Sequence, residues 1–412
     1  MPPSSAANST GIDQPDRGIY LDHAAATPVR PEVAEVMAKV MAEAFANPSS
    51  THAAGRLAKR MLEESRERVL AAAGGRTAAG SGDRLVFTSG ATEANRLAIL
   101  GAAGDRPGIV AGSHRDHPGL RQAVVDLRRR GWQTATLPLT ATGGLHIPTI
   151  ERLRDSAAGP MLVATTTVCG QTGLVDDPAA LAGLSRAAAG IRLHADATQA
   201  AAWQPLRFSE SPFATLAFAA HKFGGPRGIG CLLVRAGTPL EPLIPGPQEL
   251  GYRGGTEPVA LAAGFARAFE LAVAEQAAES ERLAELRARF EAGLLAAATA
   301  AGLEAQVIGA NGLRVAHVSA VGIAGIDRQA LVMAADLEGI RLSSGTACSS
   351  GSSEPPAILA ALGVAGGMRG GTVRASFGRT TSLEDVSAAV ERLAAILVRL
   401  PRATLLQHQP HW

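Results

Sequence analysis

The sequence is short of aromatic residues, of cysteine and of net charge. Phenylalanine, tryptophan and tyrosine make up 4% of its 412 residues, which argues against a platform on which nucleic-acid bases stack. A formal net charge of +2 gives no electrostatic reason to expect direct binding of nucleic acid. Three cysteines, Cys169, Cys231 and Cys348, are too few and too scattered for a disulfide framework or a zinc cluster. We therefore expect a protein of a reducing compartment, with no metal site.

The sequence also lacks an apolar run long enough to cross a bilayer. The first five residues, Met1 to Ser5, lack the basic and apolar regions of a signal peptide. These two absences predict a cytoplasmic protein that does not associate with membranes. At roughly 150 residues per domain, the length suggests two or three domains.

Apolar runs of strand length alternate with helical patterns through the first part of the chain. The strand-like runs are residues 85–88, 108–111, 133–137, 161–166, 191–195, 213–218 and 229–234, and the helical stretches are 31–45, 55–73 and 178–189. This alternation predicts an α/β fold with a mostly parallel sheet covered on both faces. Ligand sites in such sheets lie beyond the carboxyl ends of the strands.

The remainder of the chain predicts a smaller α+β domain. Residues 258–300 are alanine-rich and helical in pattern, and we interpret them as two helices broken near residues 278–280. A strand is predicted over 313–318, a helix over 328–337, a strand over 372–377 and a helix over 382–399. We therefore expect a large domain of residues 20–270 and a small domain formed by residues 1–19 and 271–412.

Two side chains that follow buried strands carry the first chemical signal. Lys222 follows the run at 213–218 and is flanked by His221 and by glycines. A desolvated lysine loses its proton readily and can form a Schiff base with a carbonyl, although a surface lysine in a turn would look the same. Asp196 ends the run at 191–195, and a buried carboxylate needs a cationic partner such as a protonated pyridine nitrogen.

A third signal is a strand, a glycine turn and a helix start at Leu85 to Asn95. Free backbone N–H groups and the helix dipole make helix N-termini suited to phosphate. Taken alone, the segment is equally consistent with an ordinary N-cap on a surface helix.

Together these motifs resemble the cysteine desulfurase family of pyridoxal-phosphate enzymes. Asp196, Gln199, His221 and Lys222 stand as in that family, and "TSGATEAN" at 88–95 resembles its phosphate cup. Further matching segments are "YLDHAAATP" at 20–28, "NPSSTH" at 47–52, "DHP" at 116–118, "QELGYRGGTE" at 248–257 and "RASFGR" at 374–379.

The resemblance implies pyridoxal 5'-phosphate as the cofactor and the fold type I architecture. Lys222 would hold the cofactor, Asp196 its ring nitrogen and Gln199 its ring hydroxyl. His117, favoured over His114 because of the adjoining proline, would stack on the ring and move protons. Ala91, Thr92 and His221 complete the expected cofactor-binding set. Thr256 would reach the phosphate of a neighbouring subunit, which implies a homodimer.

Cys348 lies in a loop of small residues, "SSGTACSSGS" at 343–352, with no large apolar neighbour. The loop resembles that of the longer-loop desulfurases, which are related to the nitrogen-fixation and iron–sulfur housekeeping enzymes. Cys348 would take sulfur from L-cysteine as a persulfide, release alanine and pass the sulfur to an acceptor protein of unknown identity. Arg374 would bind the substrate carboxylate. Arg379 is the alternative, or else a structural ion-pair partner.

Two positions depart from the family pattern. Gly170 stands where relatives have an asparagine that contacts the ring hydroxyl, and Ala219 replaces a phosphate-binding serine. The alternatives are therefore a related pyridoxal-phosphate enzyme (a selenocysteine lyase, a C–S lyase or an aminotransferase) and a catalytically weakened subunit kept for partner binding. Cys348 favours desulfuration, because the other reactions need no thiol in this loop.

Overall fold

The computed structural model describes residues 18–78, 81–187, 190–345 and 354–402. Its helices are α1 (Pro31–Glu43), α2 (Ala53–Ala72), α3 (Ala91–Gly101), α4 (Pro118–Arg129), α5 (Ile147–Ser156), α6 (Pro178–Ala187), α7 (Val259–Ala300), α8 (Arg328–Leu337), α9 (Ala357–Ala361), α10 (Gly366–Gly370) and α11 (Leu383–Arg399). Its strands are β1 (Ile19–Tyr20), β2 (Arg84–Thr88), β3 (Ile109–Ser113), β4 (Gln133–Leu137), β5 (Met161–Thr166), β6 (Ile191–Asp196), β7 (Thr215–Ala219), β8 (Gly230–Val234), β9 (Ala305–Val307), β10 (Val318–Ile323), β11 (Ile340–Arg341) and β12 (Thr372–Ser376).

Within the described ranges, the large sheet has seven strands in the order β2-β8-β7-β6-β5-β3-β4. Six strands run in one direction, and β8 is reversed against both of its neighbours. Every residue of β5, β7 and β8 is buried, as expected for strands covered on both faces. The predicted α/β fold with a mostly parallel sheet is confirmed. The carboxyl ends of β2, β3, β5, β6 and β7 meet at one edge.

A smaller antiparallel sheet, β12-β10-β9, lies beside the β1–β11 pair. The prediction of a strand over 313–318 was wrong, because the strand is Val318–Ile323. The chain just before it pairs elsewhere: the Val175 N–H donates to the Leu313 carbonyl, and the Val315 N–H donates to the Gly173 carbonyl. Gly322 inside β10 weakens the pattern that would have identified the strand from sequence.

Helix α7 is a single helix of 42 residues, so the predicted break near residues 278–280 was wrong. No proline or glycine stands between Gly264 and Gly293 to interrupt it. Its first part packs into the core under the large sheet, and residues 283–298 pack into the core of the small sheet. The division into domains at residue 270 falls inside this helix and stays a prediction.

Residues 19–30, the crossing segment, run from the small sheet to the edge of the large one. β1 pairs with β11, and the Ala24 N–H donates to the Ser376 hydroxyl at 2.8 Å. Further along, the Thr27 N–H donates to the His221 carbonyl. The segment therefore connects both sheets to the turn that carries Lys222.

None of the helices in the described ranges has the length and apolarity that a bilayer crossing requires.

Candidate active site

A cavity of about 400 Å³ lies at the edge where the parallel strands end. Its lining includes eight of the ten residues singled out from the sequence, namely Ala91, Thr92, His117, Asp196, Gln199, His221, Lys222 and Arg374. Thr256 is exposed and does not line this cavity in the single chain. Cys348 lies outside the described residues. The topology explains all of these lining residues except Arg374, since they lie at or beyond the carboxyl ends of large-sheet strands that point to this edge, whereas Arg374 comes from β12 of the smaller sheet.

One end of the cavity is the N-terminus of α3. Gly90 is the N-cap, and no side chain caps the helix. A Cβ at Gly230 would lie 2.5 Å from the Gly90 carbonyl carbon, so only glycine allows β8 to pass this close to the turn. Glu93 accepts from the Ser89 N–H and is paired with Arg253 at 2.8 Å. The uncapped N–H groups and the absence of bulk fit a phosphate group.

Asp196 receives hydrogen bonds from neutral donors in a fixed direction. The Asn95 amide Nδ2 donates to Asp196 Oδ2 at 2.7 Å, and the Thr198 N–H donates to Oδ1 at 3.0 Å. Asn95 Oδ1 must then accept from His194 Nε2 at 2.9 Å, which leaves His194 Nδ1 to accept from Thr215. Every hydrogen-bond donor in this series of side chains points towards Asp196. This arrangement favours a carboxylate that faces a protonated ring nitrogen.

His194 is neutral in this series of hydrogen bonds. Burial lowers its pKa to about 4, although the charge of Asp196 acts in the opposite direction. Without a proton on Nδ1, the ring can pass hydrogen-bond polarity from Thr215 to Asn95 without adding a second charge.

Lys222 stands in a 3-10 turn, Ala220–Lys222, that follows β7. Its Nζ donates to the carbonyls of Ala24 at 2.8 Å and Ala25 at 3.0 Å. The neighbouring His221 is neutral, since burial and the charge of Lys222 lower its pKa to about 4. Ala219 is fully buried at the end of β7.

His117 lines the cavity and also caps α4. Its Nδ1 accepts from the Gly119 N–H at 3.1 Å, so His117 is the N-cap of α4, and its role towards the cofactor stays a prediction. Asp116 beneath it accepts from the backbone N–H groups of Ser113 and Thr166, and burial raises its pKa to about 6. His114 is exposed and lies off the cavity.

Arg374 is buried and also lines the cavity. Its Nη1 donates to the Gly170 carbonyl at 2.9 Å, and its Nη2 donates to Asp22 at 2.6 Å. Its Nε is buried and has no hydrogen-bond partner among the described residues. Arg379 is exposed and does not line this cavity, which favours Arg374 as the carboxylate-binding arginine.

Gly170 faces the side chain of Gln199. A Cβ at position 170 would lie 3.2 Å from Gln199 Cγ, so Gln199 occupies the space that a side chain there would need. Gln171 lines the cavity, and its Oε1 is buried without a partner among the described residues. The turn therefore offers an amide to the cavity from position 171.

Sequence reasoning missed several residues that shape the site. Asn95 and Asp22 lie inside motifs that match the family, but nothing in their spacing shows which groups they contact. His194 and His317 give no sequence signal, because each acts through a side chain brought from a distant position. Their partners, Asn95 of α3 and Gln199 beyond β6, are brought to them by tertiary packing.

Cys169 and Cys231 are both buried and reduced, and burial raises the pKa of the Cys231 thiol. This agrees with a structural role for both. In the part of the chain that the structure describes, no three His, Cys, Asp or Glu side chains form a metal-binding group.

The chain matches the family described as aminotransferase class-V over residues 19–389. It is 32% identical to the cysteine desulfurase IscS of Dictyoglomus turgidum, over 96% of this chain and 98% of that protein. It is 34% identical to an IscS-like cysteine desulfurase of Mycobacterium tuberculosis, over 94% and 98%. The X-ray structure of a NifS-like protein from Rickettsia africae matches with a TM-score of 0.82 at 25% identity, covering 92% of this chain and 99% of that one.

This membership implies pyridoxal phosphate as the cofactor. The uncapped α3 N-terminus, the polarised Asp196 and the amine of Lys222 fit its phosphate, ring nitrogen and carbonyl. The chain therefore belongs to the aminotransferase class-V family, among the pyridoxal-phosphate-dependent cysteine desulfurases.

Proposed function

We propose that this protein removes sulfur from L-cysteine, releases L-alanine and carries the sulfur as a persulfide on Cys348 for transfer to an acceptor protein. The observation that carries the proposal is that Lys222 and Arg374 line the same cavity. An amine that can exchange with a substrate amino group and a guanidinium that can bind a carboxylate together suit an α-amino acid.

Bound pyridoxal phosphate supplies a carbonyl that takes the substrate amino group and a ring that withdraws electrons. Asp196 holds the ring nitrogen in its protonated form. The α3 N-terminus, through Ala91 and Thr92, holds the phosphate, and the neutral ring of His221 adds no competing charge beside Lys222.

Lys222 and His117 are the groups proposed to move protons. Lys222 Nζ donates to two carbonyl oxygens, which would hold the amine in place beside the cofactor site. His117 lines the cavity, and the hydrogen bond from the Gly119 N–H to its Nδ1 restrains the orientation of the ring there. Gln199 is proposed to contact the ring hydroxyl, with Gln171 supplying the amide that Gly170 lacks.

Cys348 is proposed to react as its thiolate. The thiolate attacks the substrate sulfur, an S–S bond forms and the substrate C–S bond breaks. The electron pair of that C–S bond stays on carbon, which takes up a proton, so the products are L-alanine and the enzyme persulfide. Arg374 holds the substrate carboxylate through this step.

The test is release of alanine and sulfide from L-cysteine by the purified protein in the presence of reductant, with Cys348→Ala and Cys348→Ser alongside. Equal amounts of both products, lost in both variants, would support desulfuration through a persulfide. Formation of a keto acid, or product formation without Cys348, would favour a lyase or an aminotransferase instead.

We also propose a homodimer in a reducing cytoplasm, where a persulfide survives long enough for transfer. Thr256 is exposed on the loop that Arg253 ties to Glu93 at the start of α3. From that loop Thr256 would complete the phosphate site of a partner subunit. Sedimentation of the wild type, and of Thr256→Ala with a cofactor titration, would test this arrangement.

A further inference from the structure

His317 is a buried side chain that meets the site from the small sheet. It directly precedes β10 and is 1% exposed. Its Nε2 lies 3.2 Å from Gln199 Oε1, and Gln199 Nε2 lies 2.7 Å from the Ala24 carbonyl oxygen. That same carbonyl accepts from Lys222 Nζ at 2.8 Å. A continuous hydrogen-bonded chain therefore joins His317 to the catalytic lysine.

The direction of each bond in this chain is determined by the Ala24 carbonyl. A carbonyl oxygen only accepts, so the group of Gln199 that faces it must be the NH₂. Gln199 Oε1 then faces His317, which must carry its proton on Nε2. His317 Nδ1 is unprotonated and has no hydrogen-bond partner among the described residues.

The ring of His317 is fixed by packing as well. It stacks on Trp203 with ring centroids 4.4 Å apart and an interplanar angle of 22°. Trp203 packs against both hydrophobic cores, so the stack lies where the two sheets meet. Burial lowers the pKa of His317 well below its usual value, and the positive charges of nearby Arg374, Arg287 and Lys222 act in the same direction. The ring is therefore neutral and donates from Nε2.

Gly170 makes the hydrogen bond between His317 and Gln199 more important. No side chain at position 170 can hold the Gln199 amide, although a Cβ there would lie 3.2 Å from Gln199 Cγ. If His317 lost its N–H, Gln199 Oε1 would be a buried acceptor without a partner, and the amide would rotate to find one. The Ala24 carbonyl would then lose one of its two donors.

We propose that His317 is a positioning residue, which holds the Gln199 amide and through it the carbonyl that orients Lys222. The inference rests on the proposed function only in that Lys222 and Gln199 contact the cofactor. It assigns to the small sheet a direct part in shaping the cofactor site.

The matched variants are His317→Met and His317→Gln, whose new side chains have nearly the same size and differ in their hydrogen-bonding capacity. Glutamine keeps an N–H donor at the distance of Nε2, and methionine has none. The readouts are the visible absorption spectrum of the bound cofactor and the Kd for pyridoxal phosphate added to the apoprotein, neither of which requires turnover of cysteine. Circular dichroism reports folding.

We expect His317→Met to shift the absorption band and to weaken cofactor binding by about three- to tenfold, the range for loss of one hydrogen bond. His317→Gln should restore both towards wild type. Equal behaviour of the two folded variants, whether wild-type or impaired, would overturn the proposal. A protein that binds the cofactor normally but releases no alanine would contradict the desulfurase proposal and leave this comparison intact.

A double-mutant cycle keeps the test decisive if His317→Met folds poorly. Gln199→Met removes the other partner of the same contact. If His317 acts through Gln199, adding His317→Leu, which lacks an N–H donor, to Gln199→Met should change cofactor affinity less than twofold, because the contact is already gone. A clearly additive loss would mean that His317 acts by another route.

Discussion

At the scale of single residues, the site depends on neutral hydrogen bonds whose direction is fixed. Asn95 connects His194 to Asp196 in the series of hydrogen bonds that ends on Asp196, because its amide oxygen faces His194 and its amide nitrogen faces Asp196. Its side chain is buried, so water cannot replace either bond. The integrity of the chain should therefore affect both folding and chemistry.

Replacing Asn95 by leucine should lower both stability and activity. The variant leaves one atom of Asp196 and one of His194 buried without partners, at about 1–3 kcal/mol each. Urea unfolding and alanine release measure the two effects. Thr215→Val, which breaks only the far end of the chain, is the matched control and should cost less in both. Equal losses of activity in the two variants would contradict a chain directed at Asp196.

Gly378 should tolerate no side chain. A Cβ there would lie 2.2 Å from His23 Nδ1, and His23 is buried and cannot move aside. We expect Gly378→Ala to destabilise the protein by about 1–3 kcal/mol in urea unfolding. Gly183→Ala is the control, because nothing lies within 4 Å of the new Cβ in α6. It should leave stability unchanged or raise it by about 0.5–1 kcal/mol, and a loss there equal to that of Gly378→Ala would refute the steric argument.

Local sequence was informative about residues that follow a strand end and uninformative about residues that act through a distant side chain. Lys222 and Asp196 could be found because parallel strands bring their carboxyl ends together. His317 and His194 could not, since their partners are 118 and 99 positions away. Such pairs are set by register and packing, which one sequence does not specify.

At the scale of elements, α7 is the part that sequence described least well. Ala278, Glu279 and Ser280 suggested a break, yet the helix continues through them to join two cores. An ion pair between Glu279 and Arg282 at 2.9 Å spans this position, and Arg282 also donates to the carbonyls of Gly378 and Thr381. Tertiary contacts thus hold helical a stretch whose local propensity is ordinary.

A proline at position 280 should uncouple the two hydrophobic cores that α7 joins. Ser280→Pro removes an internal hydrogen bond and kinks the helix, at about 3 kcal/mol or more. Differential scanning calorimetry should show a lower and broader transition, because the two cores no longer unfold together. Ser280→Ala, with its higher helix propensity, should unfold at or slightly above the wild-type temperature. A single sharp transition in the proline variant would mean that α7 does not couple the cores.

At the scale of the whole molecule, the fold buries several histidines in their neutral form. Burial lowers the pKa of His23, His194 and His221 to about 4, and it lowers that of His317 well below its usual value. In the unfolded chain these groups take up protons near pH 6.5. Stability that is fully present above that pH is therefore lost as the pH falls towards 4.

The free energy of unfolding should accordingly decrease steeply between pH 6.5 and 4. Each histidine contributes about 1.4 kcal/mol per pH unit below its unfolded pKa. Asp116 offsets the effect of about one histidine on the free energy of unfolding. Its raised pKa of about 6 lets the folded state keep a proton that the unfolded carboxyl has lost. Urea unfolding at several pH values, repeated with His317→Gln, measures the slope. A flat profile across this window would contradict neutral burial of the histidines.

The crossing segment has a consequence for biosynthesis. Ala24, whose carbonyl holds Lys222, is itself held by Ser376, which stands 352 positions later in the chain. At about 5–20 residues per second, translation needs roughly 20–70 s to reach that serine after Ala24 has been made. The segment that contains Ala24 thus waits for this partner long after it has been made. A nascent chain can form the large sheet first, but the carbonyl that holds Lys222 reaches its final position only once Ser376 has been made.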